Sequence, residues 1–232
     1  MSPSIIPVSS PIDPHSHDDL DHFVSIIVEA FSTTALTTAF IVNNDNTPPP
    51  YPSALVDSPR RHQHFAQGII DSAESGAELV QAGNWSAIAL WEGPSYQGKP
   101  FIESKARPGP LLAEWRAKVM DSKKTYLSSP ADPSRIRPFY HLSFLARNPS
   151  APKVSGSIAA VIEPFLSRAR DEGVPAWLEA TTKQAASVYE HFGFRLAEEI
   201  TIGKGHIDSA GWPREGGEGV TAYAMIYDGH LA

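Results

Sequence analysis

The feature that most restricts the fold of this chain is an alternation of strand and helix patterns between residues 139 and 202. An apolar run of strand length at 139–146 precedes a stripe of apolar residues at helical spacing. The stripe consists of Ile158, Val161, Ile162, Phe165, Leu166 and Ala169. The next segments predict a strand, a short helix and another strand, at 175–180, 183–191 and 194–202. This order predicts a βαβ core, in which parallel strands are covered by helices.

The rest of the chain shows weaker patterns. Apolar spacing predicts three more helices and three more strands, around 20–31, 65–73 and 111–120 for the helices and 78–80, 86–91 and 220–227 for the strands. Prolines are frequent between residues 43 and 59, and because proline removes backbone donors, this segment is predicted to be a long loop. The glycine-rich segment 203–219 is predicted to be a hairpin loop before the last strand.

Composition excludes several classes of function. The chain has no cysteine, which rules out disulfides, thiolate metal sites and a cysteine nucleophile. Its formal charge of -7 opposes the counterion release on which nucleic-acid binding depends, so no nucleic-acid partner is expected. No apolar run approaches the roughly 18 residues of a membrane-spanning helix, and residues 1–14 lack the basic start of a signal peptide. We therefore expect a cytoplasmic protein that does not bind membranes.

The histidines near the N-terminus raise the question of a metal site. His15, His17 and His22 lie among several aspartates. His17 and His22 would face different sides of a helix, so a solvated polar surface is the favoured interpretation. No metal is predicted.

Two segments of the predicted βαβ core resemble a known family. Between the strand at 139–146 and the helix stands Lys153-Val154-Ser155-Gly156-Ser157-Ile158, and the second strand and helix read Trp177-Leu178-Glu179-Ala180 and Tyr189-Glu190-His191-Phe192-Gly193-Phe194. This order resembles the GNAT acyltransferases. Their turn has the form Arg/Gln-x-x-Gly-x-Gly/Ala, so Lys153 and Ile158 depart from the usual residues. In that family the backbone amides of the turn, at a helix N-terminus, hold the coenzyme A pyrophosphate.

The resemblance implies one α/β domain of the mixed α+β type, 1–232, with a central mixed twisted β-sheet flanked by α-helices. Within it, 139–202 would be the coenzyme A-binding core, preceded by a first half at 19–138 and followed by a loop and last strand at 203–232. The acceptor pocket is expected to be built by 1–138 and 203–219, with the loop 203–219 as a roof.

The resemblance also implies an acetyl-CoA or other acyl-CoA site. The implied binding residues are Phe144, Leu145, Ala146, Arg147, Lys153, Val154, Ser155, Gly156, Ser157, Ile158, Thr182, Ala185 and Tyr189. The first three would act through their main chain, beside the pantetheine arm, and Thr182 would either cap the following helix or bond that arm. Lys153 could place a point charge near phosphate.

Tyr189 is the implied general acid, because a phenol stays protonated at neutral pH and can donate to a departing thiolate. His141 is the preferred general base because of its ordinary pKa near 6.5, with Tyr140, Glu179 or an ordered water as alternatives. A histidine inside an apolar strand is also compatible with a purely structural role.

The implied function is transfer of an acetyl or short acyl group from acyl-CoA to an amine of a small molecule or peptide, by direct attack in a ternary complex, in a monomer or homodimer. Two alternatives stay open. The chain could be a GNAT-fold protein that only binds ligand or catalyses other chemistry in the same pocket, since fold does not determine function. It could also be a partner-binding scaffold that uses the proline-rich loop 46–59.

Overall fold

The computed structural model describes residues 7–103 and 107–231. The helices are α1 to α6, at His17–Ala30, Ala35–Asn44, Ser58–Glu74, Pro110–Tyr126, Ser157–Glu172 and Lys183–His191. The strands are β1 to β7, at Ser9–Pro11, Glu78–Ala82, Ala87–Glu92, Tyr140–Arg147, Ala176–Ala180, Arg195–Ile202 and Val220–Tyr227. A short 3₁₀ helix, Phe101–Glu103, lies between β3 and α4. The order of the elements from β4 to β6 is the predicted strand–helix alternation.

The strands form one sheet in the order β1-β2-β3-β4-β5-β7-β6. Neighbouring strands are antiparallel except for the central pair, β4 and β5, which are parallel as the βαβ pattern predicts. Helices cover both faces of the sheet. The predicted mixed α/β fold, a twisted sheet flanked by helices, is therefore confirmed.

Alternate residues of each strand point to opposite faces, and this distributes the core among three groups of apolar side chains. One face packs against α5 and α6, where the ring of Trp91 stacks on Phe165 at 4.7 Å. On the other face, α1 and α3 cover β2, β3 and β4. Helices α2 and α4 cover β5, β6 and β7 on that same face. A seam between these two pairs of helices therefore runs over the centre of the sheet.

Helix α5 begins and ends at glycines that the sequence places correctly. Gly156 has φ 81° and Gly173 has φ 66°, both in the left-handed region where a side chain is strained. Between them the helix continues through Pro164. The apolar stripe is buried against the sheet, which supplies the packing that a proline-containing helix needs.

Three described elements were not predicted from the sequence: the 3₁₀ helix Phe101–Glu103, strand β1 and helix α2. Strand β1 has only three residues and pairs with the edge strand β2. Helix α2 has no amphipathic pattern because all of its residues from Leu36 to Val42 are buried. Helical periodicity is visible only where one side of a helix meets water, so a helix buried on all sides gives no such signal.

No single helix of the described residues is long and apolar enough to cross a membrane; α1 and α2 meet the length and composition criteria only as a pair bent by 104°.

Candidate active site

Strands β4 and β5 separate part-way along their length. Their pairing covers Tyr140–Ala176, His141–Trp177 and Leu142–Leu178 and ends there, whereas β4 continues to Arg147 on the β3 side. The β3–β4 register also shifts at this point, so that Ser143 is an extra residue on β4. From Ser143 to Arg147, one edge of β4 therefore presents backbone groups to an open slot. Phe144, Leu145, Ala146 and Arg147, four of the cofactor residues that the resemblance implies, lie along it.

The N-terminus of α5 lies beyond the end of this slot. Gly156 is the N-cap residue and has no side chain with which to cap the first amides, and the first turn of the helix contains no acidic residue. The amide of Ser157 donates to the carbonyl oxygen of Val154 at 3.3 Å, and the amides that follow it, with the positive end of the helix dipole, favour an anion. The electrostatics of this turn suit a phosphate group.

Ser86, in the turn between β2 and β3, supports the segment that leads to α5. Its Oγ accepts a hydrogen bond from the amide of Val154 at 3.0 Å and lies 3.4 Å from Oγ of Ser157. Its carbonyl oxygen accepts from the amide of Asn148 at 3.0 Å. Ser157 is fully buried, while Lys153 and Ser155 are exposed. The predicted turn is thus held from below by a residue that the sequence did not single out.

A groove with a volume of about 550 Å³ lies between β4 and α5 on one side and α6 on the other. Its lining includes Arg147, Gly156 and Ile158, opposite Gln184 and Val188. Three of the predicted cofactor residues are therefore together in one groove. Thr182 caps α6, because its side chain accepts from the amide of Ala185 at 3.0 Å.

A smaller cavity of about 140 Å³ lies over the slot, at the seam between the helix pairs, and we call it the reaction cavity. Strand β4 and helix α6 contribute to both this cavity and the groove, through different residues. Its polar wall includes Ser143, Glu179 and Tyr189. Aromatic side chains form a large part of the remaining wall, which also includes leucines, alanines and threonines; the aromatic residues are Phe31, Phe40, Phe65, Phe101, Trp115 and Phe144, with His64 beside them.

Tyr189 reaches the reaction cavity from α6. Its residue is 8% exposed, and its ring packs edge-on against Phe194 at 5.9 Å between centroids. No hydrogen bond of its hydroxyl to another described residue is formed. Burial raises the pKa of the Tyr189 phenol above its usual range, so the group is a neutral donor.

His141 lies beneath the reaction cavity in a buried cluster of charged groups. Its Nδ1 is 2.8 Å from Oε2 of Glu92, and its Nε2 is 3.0 Å from Oε2 of Glu179. Lys123 of α4 is 3.5 Å from the other oxygen of Glu179, which also accepts from Trp177 at 2.6 Å. Burial and Lys123 oppose the imidazolium, but the two carboxylates outweigh them and raise the pKa of His141.

The structure separates the three base candidates. Glu179 lines the reaction cavity directly, whereas His141 is connected to it through Glu179 and through Ser143, whose Oγ is 3.2 Å from Nδ1. Tyr140 lies against α5, where its hydroxyl donates to Glu172 at 2.6 Å and its pKa is raised to about 12, first by burial and then by that bond. Tyr140 is therefore not part of the site.

The loop 203–219 does not roof the reaction cavity, contrary to the prediction. Among the described residues that line that cavity, none belongs to this loop. Gly211 instead packs directly on the backbone of α2 at Ala35. The ring centroid of Trp212 lies 5.9 Å from that of Tyr51 in the proline-rich loop. The prediction failed because α2 was not recognised, and α2 stands where the roof was expected.

Sequence reasoning missed Ser143, Glu92 and Lys123 and most of the aromatic wall. One signal was present for Glu92, since a carboxylate at the end of an otherwise apolar strand needs a partner. Lys123 looked like part of a solvated helix face, but it is 5% exposed. Its burial depends on how α4 packs over the sheet, which the sequence of α4 does not reveal.

No protein-family model matches the chain. Two curated relatives come from Saccharomyces cerevisiae. One, named increased recombination centers protein 11, is 36% identical over 89 residues, which are 38% of this chain and 57% of the relative. The other, an uncharacterised protein, is 31% identical over 150 residues, 65% of this chain and 60% of the relative. The chain thus spans 57% and 60% of the curated relatives it matches.

Solved structures match over nearly the whole chain. The C-terminal condensation domain of Ebony, in complex with beta-alanyl-dopamine, aligns with a TM-score of 0.60 at 12% identity, over 95% of this chain and 97% of the other. A polyamine N-acetyltransferase of Drosophila melanogaster gives 0.55 at 14%, over 95% and 98%. A Corynebacterium glutamicum protein described as a histone acetyltransferase and related acetyltransferase gives 0.53 at 20%, over 96% of each chain. The chain has the GNAT fold. The groove and the reaction cavity of this GNAT-fold chain lie where the central parallel strands β4 and β5 separate, beside helix α5, which begins after Gly156.

Proposed function

We propose that the protein transfers an acyl group from acyl-CoA to an amine. The observation that carries this proposal is a groove and a cavity beside the separated strands, to both of which β4 and α6 contribute, with a helix end suited to an anion at the groove and a buried phenol at the cavity. The GNAT fold supports the proposal, because acetyltransferases are among the proteins that share it.

The residues present fit coenzyme A. The uncapped amides after Gly156 would hold the pyrophosphate, with the exposed Lys153 and Arg147 close to it in sequence. The free edge of β4 from Ser143 to Arg147 would pair with the amides of the pantetheine arm. The side chains of Ile158 and Val188 supply an apolar lining to the groove. Acyl-CoA bound in this way supplies the activated thioester.

The chemistry then needs an acid and a route for a proton. The amine nitrogen attacks the thioester carbon, the carbon–sulfur bond breaks, and the sulfur leaves as a thiol with a proton. Tyr189 carries the donated proton on Oη; its raised pKa keeps the phenol protonated but makes it a weaker acid, so it donates as the carbon–sulfur bond breaks and takes up a proton from the attacking nitrogen. Because an acceptor enters as an ammonium ion and leaves as an amide, one further proton must leave the site in each turnover.

The wall of the reaction cavity indicates an acceptor with a small apolar or aromatic part. A cavity of about 140 Å³ is close to the size that accepts a single benzene ring. Aromatic walls also attract a cation through their faces, and Glu179 adds a carboxylate at the polar side. We therefore propose a compact primary amine with an apolar group as the acceptor, rather than a long peptide.

The decisive test has two steps. Calorimetry with acetyl-CoA should show saturable binding, and the release of free thiol should then depend on an added amine, with small aromatic amines as the best of a panel. Binding without thiol release would support a ligand-binding role for the same groove. Absence of binding would overturn the proposal.

A further inference from the structure

A second cavity lies on the other side of the buried charged cluster. It has a volume of about 380 Å³, and we call it the Glu92 cavity. Glu92, Lys123 and His141 line it, and its rim includes Met120 and Pro138, which are exposed at the surface. The cluster therefore separates two cavities, with Ser143 and Glu179 on the reaction-cavity side.

One oxygen of Glu92 has no partner among the described residues. The residue is 3% exposed, its Oε2 is 2.8 Å from Nδ1 of His141, and its Oε1 is buried without a hydrogen bond to any residue that the structure describes. A buried carboxylate oxygen without a donor is costly, and the residue lines the Glu92 cavity. The carboxylate of Glu92 thus lies between His141 and the Glu92 cavity, which extends to the surface.

We propose that the proton released by the acceptor amine leaves through Ser143, His141 and Glu92 into the Glu92 cavity. The inference rests on the proposed function, because it assigns the path of the proton that acyl transfer to an ammonium acceptor must release. It makes Ser143 a relay and makes Glu92 a residue that acts through His141.

The two ring nitrogens of His141 have different tasks in this path. Nε2–H donates to Glu179, whose carboxylate is fixed by Lys123 and Trp177, and this bond orients the ring. Nδ1 faces both Ser143, at 3.2 Å, and Glu92, at 2.8 Å. Only Nδ1 therefore has a partner toward each cavity, and Nδ1 is the nitrogen that exchanges the proton.

The transfer balances without any other reactant. The amine gives a proton to Oγ of Ser143 while the Ser143 hydroxyl proton moves to Nδ1 of the neutral imidazole. Nδ1 then gives a proton to Glu92, and the carboxyl group gives it to water in the Glu92 cavity. Ser143, His141 and Glu92 end in their starting states, and one proton has crossed from one cavity to the other.

The charged groups around His141 define the expected pH dependence. They are Glu92 on β3, Glu179 on β5 and Lys123 on α4, with the uncharged Ser143 on β4. The working form of the imidazole is neutral, so kcat/KM should rise with pH through the pKa of His141. Removal of the Glu92 carboxylate takes away one group that stabilises the imidazolium, and the rising limb should move to lower pH.

The first measurement is the pH profile of thiol release by Glu92→Gln, Glu92→Asp and the wild type. We expect Glu92→Gln to lower kcat by about tenfold, less than the roughly 100-fold or more of a group that exchanges a proton with the substrate itself, because Glu92 acts through His141. Its rising limb should move down by about one pH unit, the usual effect of a close opposite charge. Glu92→Asp should recover part of both effects. Glu172→Gln is the matched control, since it removes a carboxylate bonded to Tyr140, away from both cavities, and should leave the limb in place.

The second measurement needs no acyl-CoA. Nitrogen-15 NMR of the His141 ring should show a lower pKa and slower solvent exchange of the Nδ1 proton in Glu92→Gln than in the wild type. If Glu92→Gln is folded and active but changes neither the position of the rising limb of the pH profile nor the exchange rate of the Nδ1 proton, the proposed relay is wrong. A wild type that releases no thiol with any amine would refute the proposed function instead, and the NMR comparison would still decide whether His141 exchanges protons with the Glu92 cavity.

Discussion

Glu179 is a buried carboxylate whose charge depends on its neighbours. Burial opposes the charge, but Lys123 and His141 outweigh it and hold the pKa of Glu179 well below its ordinary value of 4.5. A carboxylate with a depressed folded pKa stabilises the protein above its unfolded pKa, and this stability is lost as the pH falls toward the folded value. The cluster is therefore a source of acid sensitivity.

The corresponding prediction concerns Glu179→Gln. Below pH 4.5, the unfolded wild type binds a proton that the folded state does not. This group alone should then reduce the free energy of unfolding by up to about 1.4 kcal/mol per pH unit. Glu179→Gln should be less stable at neutral pH and should lose less stability on acidification. Denaturant unfolding at several pH values measures both effects; parallel pH dependences in the two proteins would contradict the prediction.

Tyr189→Phe should separate binding from chemistry. Loss of the phenol should reduce kcat by about 100-fold, as expected for a proton donor. Affinity for acetyl-CoA should stay within about twofold of the wild type, because the hydroxyl bonds to no other described residue and the ring packing is kept. Tyr140→Phe is the control, since it also removes a phenol hydroxyl but does so at the far side of β4. Equal kcat values in Tyr189→Phe and the wild type would remove Tyr189 from its role.

At the scale of elements, the turn before α5 depends on the hairpin turn beneath it. Ser86→Ala leaves the amide of Val154 without its acceptor, which should cost about 1–2 kcal/mol of stability. Coenzyme A affinity should also fall, since the amides after Gly156 lose their support. Ser150→Ala is a matched control in the same segment, because among the described residues its hydroxyl bonds only the exposed Glu29. Equal affinities of the two variants for coenzyme A, measured by calorimetry, would contradict this account.

Lys153 stands where the GNAT turn usually has Arg or Gln, and its substitution measures what this lysine contributes to coenzyme A binding. As an exposed cation it should contribute roughly 1 kcal/mol, or about fivefold in affinity for coenzyme A, at low salt. Lys153→Ala should also reduce the salt dependence of binding, because screening acts on exposed charge pairs. Lys124→Ala, on the exposed face of α4, should change neither property. An unchanged salt dependence in Lys153→Ala would show that backbone amides alone hold the phosphates.

At the scale of the whole molecule, the slot between β4 and β5 divides the sheet into two parts. A ligand bound in the slot should contact both parts and hold them together. Below the slot, β4 and β5 share only three paired positions. A ligand at about 100 times its Kd adds about 2.7 kcal/mol to the free energy of unfolding. For a domain of this size, we expect the Tm to rise by about 5–10 °C with coenzyme A. Thermal unfolding with and without coenzyme A measures this shift, and AMP is the control ligand because it lacks the pantetheine arm.

The βαβ segment was predictable because its signals are local. Apolar spacing over a few turns defined α5, and glycines that must adopt positive φ marked its ends at Gly156 and Gly173. Gly156 and Tyr189 could be singled out as site candidates for the same reason, since they lie in motifs with short spacing. The pairing of His141 could not be predicted, because its two partners, Glu92 and Glu179, lie on different strands far apart in the sequence.

The sequence by itself determined the alternation of strands and helices, the glycine-started helix end and the phenol on α6, because each depends on residues within a few turns of one another. Only the tertiary structure decided where β4 leaves β5, which aromatic side chains meet over that slot, and that Lys123 is buried beside Glu179. Register between strands and the packing of α2 and α4 set these contacts. These contacts depend on many interactions between residues far apart in the sequence, which no local sequence pattern predicts.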